Sequence, residues 1–124
     1  MIDWTTLPER TNADPEFRLA ARHWTATLRL DVGDDSHALA IEDGEVKGIA
    51  AGDPTSETDV FISASSAEWA ELLADVPRPF YQDLSAAAIH HGVRLPPDQE
   101  QYAAYYPALR RLIQLMRDAR QEGN

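Results

Sequence analysis

Cysteine is missing from this chain altogether. Its absence excludes disulfides, thiolate nucleophiles and cysteine-based zinc or iron–sulfur sites, and it suits a reducing compartment. Cations are scarce: 11 Lys and Arg against 21 Asp and Glu give a formal net charge of -10. Nucleic-acid binding depends on Lys and Arg neutralising phosphates, so nucleic acid is not an expected partner. A polybasic anchor to a membrane surface is equally unsupported. No apolar run approaches the roughly 18 residues of a membrane-spanning helix, so no integral membrane association is expected. Met1-Ile2-Asp3-Trp4 lacks the basic region and apolar run of a signal peptide, and Gln121-Glu122-Gly123-Asn124 carries no lipidation or organelle address. The expected location is the cytoplasm. What remains is ordinary globular material: 124 residues, 44% of them apolar, enough for one domain with one core.

Along the chain, the first 13 residues are polar with scattered apolar groups and are expected to pack loosely. Asp14-Pro15 marks a helix start, an N-cap followed by proline at the first helical position. Phe17, Ala20, Ala21 and Trp24 recur at helical spacing, which predicts a helix over 15–24. The period then changes to two. Leu28, Leu30 and Val32 alternate with Thr27, Arg29 and Asp31, the pattern of a half-buried strand. Gly33-Asp34-Asp35-Ser36 turns into a second strand, His37 to Glu42. Asp43-Gly44 is a hairpin signal before a third strand, Val46 to Ala51. A fourth strand runs from Asp59 to Ala64. Short loops predict that all four are antiparallel neighbours.

Helical patterns follow. Ser65-Ser66-Ala67-Glu68 matches a capping box, with Trp69, Leu72, Leu73 and Val76 behind it. Phe80, Leu84, Ala87, Ala88 and His91 form the stripe of a second helix, and Gly92 stands at its C-terminal cap position. Val93-Arg94-Leu95 suggests a short fifth strand. The last segment carries Tyr102, Tyr105, Leu109, Leu112, Ile113 and Met116, with Pro107 expected to kink or restart the helix. The fold class is therefore α+β: an antiparallel sheet of four to five strands with helices packed on one face. The expected division is an N-terminal extension over 1–14, one domain over 15–118, and a polar tail over 119–124.

This order, with Ile41-Glu42-Asp43-Gly44, Thr58-Asp59-Val60-Phe61-Ile62 and Ala67-Glu68-Trp69 at their spacings, resembles the sterol carrier protein 2 family over residues 15–116. The resemblance implies a domain that binds fatty acids and other lipids. The chain departs from the family pattern at His90-His91-Gly92-Val93-Arg94-Leu95-Pro96-Pro97-Asp98, where prolines replace an expected glycine. A proline there removes a ladder donor.

Chemistry-bearing residues are sparse. His90 and His91 are adjacent on a helix and point about 100° apart, so one metal is not easily shared between them. There is no His-x3-His pair, no Gly-x-Ser-x-Gly elbow and no phosphate loop, so no catalytic residue, metal or cofactor is expected. The turn-rich carboxylates, such as Asp34, Asp35, Asp53 and Glu57, are those that turn chemistry favours. Ala38, Ala40, Gly48, Ala50 and Ala51 are expected on the sheet's inner face, leaving room for a ligand or for close helix packing. A pocket there would be lined by Trp69, Leu72, Phe80, Leu84, Tyr102, Tyr105, Leu109 and Met116. Three functions follow: a carrier of a hydrophobic small molecule such as an acyl chain or sterol; a homodimerising or accessory module for a partner enzyme; and a small enzyme using the same cavity. A cavity wide enough for an acyl chain favours the first, a large exposed apolar patch the second. A buried titratable group with a strongly shifted pKa favours the third.

Overall fold

The structure, a computed structural model, describes residues 2–96 and 99–122. Pro97 and Asp98, part of the proline-bearing departure, lie outside the described residues. Four strands form one sheet: β1 (Ala26–Val32), β2 (Asp35–Glu42), β3 (Glu45–Ala51) and β4 (Val60–Ala64). Six α-helices accompany it: α1 (Leu7–Asn12), α2 (Pro15–Ala21), α3 (Ser66–Leu72), α4 (Leu84–His90), α5 (Glu100–Ala104) and α6 (Tyr106–Glu122). The α+β class and the predicted element order hold.

The sheet is mixed. Its strand order is β3-β2-β1-β4, with β1–β2 and β2–β3 antiparallel but β4 parallel to β1. The expected all-antiparallel meander is thus corrected at its last strand. The physical reason is reach. Crossing from β3 to the far side of β1 spans three strand spacings, roughly 14 Å, and the eight residues between Ala51 and Val60 extend to about 26 Å. No helix is needed for that crossover. Arg29 anchors it, donating from Nη1 to the carbonyls of Asp53 and Ser56. The fifth strand reduces to a single antiparallel bridge between Arg94 and Ser63 on the open edge of β4.

The N-terminal residues are not loose. A 3-10 turn over Trp4–Thr6 leads into α1, which buries Leu7 and Thr11. The Asn12 side chain pairs with both backbone groups of Val46, donating to its carbonyl and accepting from its N–H at 2.9 Å each. Side-chain pairing of this kind covers an otherwise open strand edge. Asp14 caps α2 as expected, accepting from the Phe17 N–H at 2.8 Å, and also forms a two-pronged ion pair with Arg111 of α6. That guanidinium holds the Asp14 carboxyl below the usual carboxylate range. The helix stops at Ala21 rather than 24, and His23 then adopts φ 70. Trp24 is buried from the following loop and stacks on Tyr105 at 4.7 Å.

Asp43 (φ 49) and Gly44 (φ 78) both take positive φ, as a two-residue hairpin of mirror-image type requires. The turn is wedged beneath the α2–β1 connection. A Cβ on Gly44 would stand 2.8 Å from the Ala21 carbonyl oxygen, whereas one on Gly48 would meet nothing within 4 Å. Gly44→Ala is therefore expected to destabilise the fold by about 1–3 kcal/mol. Gly48→Ala should be neutral or stabilise by up to roughly 1 kcal/mol, because alanine loses less backbone entropy in a strand. Urea titration of both variants checks the opposite signs.

Leu28, Leu30, Leu39, Ile41, Val60 and Ile62 are buried on the helix-covered face with Leu109, Leu112 and Met116 of α6. The alternation that buries Leu39 and Ile41 sends Ala38 and Ala40 to the opposite face, where they pair with Ala50 and Gly48. Ala40, Ala50 and Ala51 are exposed. Ala38, Ala40, Gly48 and Ala50 thus line the outer face, correcting their expected inward placement, while Ala51 pairs with His37 on the face of Leu39.

Candidate functional site

Two clefts lie on the outer face. One of about 340 Å3 is bounded by Arg29, Ala38, Gly52, Asp53, Ser56 and Asp59. The other, about 660 Å3, runs along Ala40, Glu42, Asp43 and Lys47 and shares Thr27 and Asp59 with the first. Both are shallow and hydrophilic, unlike an apolar ligand pocket. Arg29, which lines the first, is already committed. Its Nε donates to both oxygens of Asp31, and both side chains are under 10% exposed. Asp31 also accepts from Ser36 Oγ at 2.7 Å.

On the helix side, the predicted pocket residues divide. Trp69 is fully buried and its Nε1 donates to the Asp31 carbonyl at 2.7 Å. Leu109 and Met116 are core residues with no exposed surface. Tyr102 reaches Ser85 of α4, hydroxyl to hydroxyl at 3.0 Å, while Tyr105 turns away to stack on Trp24. Phe80 lies before α4 at φ 71, is 46% exposed, and stacks on His90 at 3.8 Å. Val76, placed on the α3 stripe by sequence spacing, lies beyond the helix and is exposed.

Leu72 and Leu84 do come together. They line a slot between the α3–α4 linker, the start of α4 and α6, closed by Tyr81, Ile113, Gln114, Arg110 and Arg117. Its volume is about 10 Å3, room for about one water. In this conformation the slot is shut, and an acyl chain requires α4 and the linker to move away from α6. The linker is pinned from outside by rings and one strong hydrogen bond. Tyr81 stacks on His91 at 3.8 Å and donates its hydroxyl to Glu68 at 2.6 Å. That bond pushes the Tyr81 phenol up to about 12, helped by burial and the nearby carboxylate charge. A phenol shifted upward is a weaker acid. Glu68 thereby leaves its expected capping-box role, while Ser65 still caps α3 through the Glu68 N–H.

Tyr81, Ile113, Arg110, Gln114 and Arg117 were not legible as site residues. The one available signal is the i, i+4, i+7 spacing of Arg110, Gln114 and Arg117, which places them on one flank of α6 beside its apolar stripe. Among the described residues, no group of three or more His, Asp or Glu is arranged to hold a metal ion. Among the described residues, no helix is long and apolar enough to cross a membrane.

No family model and no curated protein matches the chain by sequence. Its structure is similar to known ones. A crystal structure of sterol carrier protein 2 aligns with a TM-score of 0.77 at 23% identity, covering 96% of this chain and 97% of that one. The solution structure of a conserved hypothetical protein from Thermus thermophilus, described as possibly a sterol carrier protein, aligns with a TM-score of 0.72 at 25% identity, covering 93% and 84%. A UbiJ-SCP2 ubiquinone synthesis protein aligns with a TM-score of 0.57 at 20% identity, covering 87% and 84%.

Proposed function

On the premise that this chain adopts the sterol carrier protein 2 fold, we propose that it binds or transfers a hydrophobic small molecule between the sheet and the helices, without catalysing its conversion. The observation that carries this reading is the likeness to sterol carrier protein 2 over nearly the full length of both chains. The slot between α4, its linker and α6 is the natural port, because it reaches Leu72 and Leu84, which belong to the same core as Leu109 and Met116. Of the eight residues expected to line a pocket, Trp69, Leu109 and Met116 then form its floor, while Tyr102 moves with α4 through Ser85. Phe80 belongs to the outer fastening and Tyr105 to the Trp24 stack. Partner and ligand are one here, a lipid-like molecule held away from water, and neither a cofactor nor a metal is invoked.

Binding by this route is an opening equilibrium. The apparent affinity is the intrinsic affinity reduced by the fraction of open molecules. Native mass spectrometry of freshly purified protein, before and after organic extraction, tests the reading. A co-purifying apolar adduct that extraction removes and added fatty acid restores is the expected result. A protein that carries no adduct and takes up neither fatty acid nor sterol overturns it.

A further inference from the structure

A cleft of about 420 Å3 opens beside the N-terminal 3-10 turn, its wall formed by Trp4, Val32, His37 and Ala70 with Asp35 and Arg120. His37 lies on the helix-covered face of β2, opposite the buried Leu30 in register, and is itself half-buried. The Trp4 indole covers its imidazole, the two rings stacked at 3.8 Å and 11° from parallel. Little else fastens the turn. Its hydrogen bonds are internal: the Asp3 carboxylate accepts from the Thr5 N–H and hydroxyl, and the Asp3 carbonyl accepts from the Thr6 N–H and hydroxyl. Beside Trp4, Ile2 packs partly buried against the core. The helix that follows is held separately, by the buried Leu7 and Thr11 and by Asn12 on Val46. Residues 2–6 can therefore lift about Leu7 while α1 stays in place, the kind of local opening that a chain end with few buried contacts permits.

We propose that the turn bearing Trp4 is an acid-released strap, closed over the neutral imidazole of His37 and lifted when that imidazole gains a proton. The cleft shares no lining residue with the slot at α4, so the strap stands whether or not a lipid-like molecule enters there. The physical cause is desolvation. An imidazolium needs water or a counter-charge, and the stacked indole keeps water from one face of the ring. Burial accordingly holds His37 below the ordinary imidazole pKa, with the Asp35 carboxylate acting in the opposite direction. Arg120, the other charged group lining the cleft, shares the sign of an imidazolium and is held on the Ala70 carbonyl at 2.8 Å. Lifting the strap returns His37 to water, where an imidazole titrates at about 6.5, so the open form binds the proton more tightly. Closure is at full strength above that value and weakens as the pH falls below it.

An NMR titration of the isotope-labelled full chain from pH 8 to pH 5 tests the strap, following the four imidazoles and the ring-to-ring contacts of Trp4 with His37. His37 is expected to titrate below the ordinary imidazole value, and its contacts with Trp4 to fade over the same interval. Trp4→Ala should return the His37 midpoint toward that value, because strap and proton act on each other reciprocally. His37→Phe, an aromatic ring with no proton to gain, should hold Trp4 equally at pH 8 and pH 5. A His37 midpoint at or above the ordinary value overturns the strap, since attraction between imidazolium and indole would then keep it shut in acid. A midpoint unmoved in Trp4→Ala overturns it too. So do Trp4 contacts that fade with acid in His37→Phe as they do in the wild type, which would put the sensor elsewhere. The His37→Phe comparison decides the matter if Trp4→Ala fails to fold.

Discussion

Trp69→Ala is expected to destabilise the protein by about 3–5 kcal/mol, the range for removing a fully buried large aromatic. Stability of a domain this size is of order 5–15 kcal/mol, so the loss removes a large share of it. Two causes add. The indole has no exposed surface and sits among the largest buried side chains with Leu72 and Leu73, so truncation leaves a cavity that rigid neighbours fill only in part. Its Nε1 also satisfies the Asp31 carbonyl on β1, tying α3 to the strand that pairs with both β2 and β4. Trp69→Phe separates the terms, keeping most of the volume but removing the donor, and should cost a smaller amount of about 1–3 kcal/mol. Urea unfolding of the two variants reads the difference. A Trp69→Ala protein with an unchanged midpoint would show that the α3–sheet contact carries little of the stability.

Asp31→Ala is the second large effect. Asp31 is the partner of Arg29, which is 5% exposed. Removing one member of a buried ion pair leaves the other charge uncompensated, and about 3–5 kcal/mol is expected. The consequence extends beyond the pair. Arg29 holds the carbonyls of Asp53 and Ser56, so a displaced guanidinium releases the loop that carries the chain from β3 across the sheet to β4. Limited proteolysis should therefore cut Asp31→Ala within 52–59 faster than wild type, under conditions where both are folded. The double variant Arg29→Met, Asp31→Leu should recover part of the stability, because an apolar pair needs no charge compensation. Single and double variants that sum without coupling in a urea-based cycle would show that the two side chains act independently.

Local signals carried the sequence reading furthest. Asp14-Pro15 placed the start of α2, and Asp43-Gly44 placed the β2–β3 hairpin with both residues at positive φ. Pro107 separated α5 from α6, and the alternation of residues 27–32 placed β1. Each rests on interactions within a few residues, which is why a single sequence suffices. Order and spacing together also pointed to the sterol carrier protein 2 fold, which the solved structures bear out.

Other features were decided at long range. Loop length alone could not say that β4 lies parallel beside β1, because eight residues reach either edge of the sheet, and the Arg29 anchor that selects one path joins residues 24 and 27 positions apart. Period two separates the two faces of a strand without saying which one the helices cover, and only the burial of Leu39 and Ile41 puts Ala38 and Ala40 on the outer side. The helical spacing of Leu109, Leu112 and Met116 was legible, with Leu109 and Met116 expected at a pocket, but which helix would meet the Arg110–Arg117 flank of α6 depended on how the α3–α4 linker folds back. That path is set by Tyr81 on Glu68, Tyr81 on His91 and Phe80 on His90, contacts between residues that no periodicity relates. The sequence by itself determined the four strands and the helices from α2 onward in their order, but not α1. Tertiary packing decided the strand partner, the covered face and the closed slot, because those are set by side chains distant in the chain.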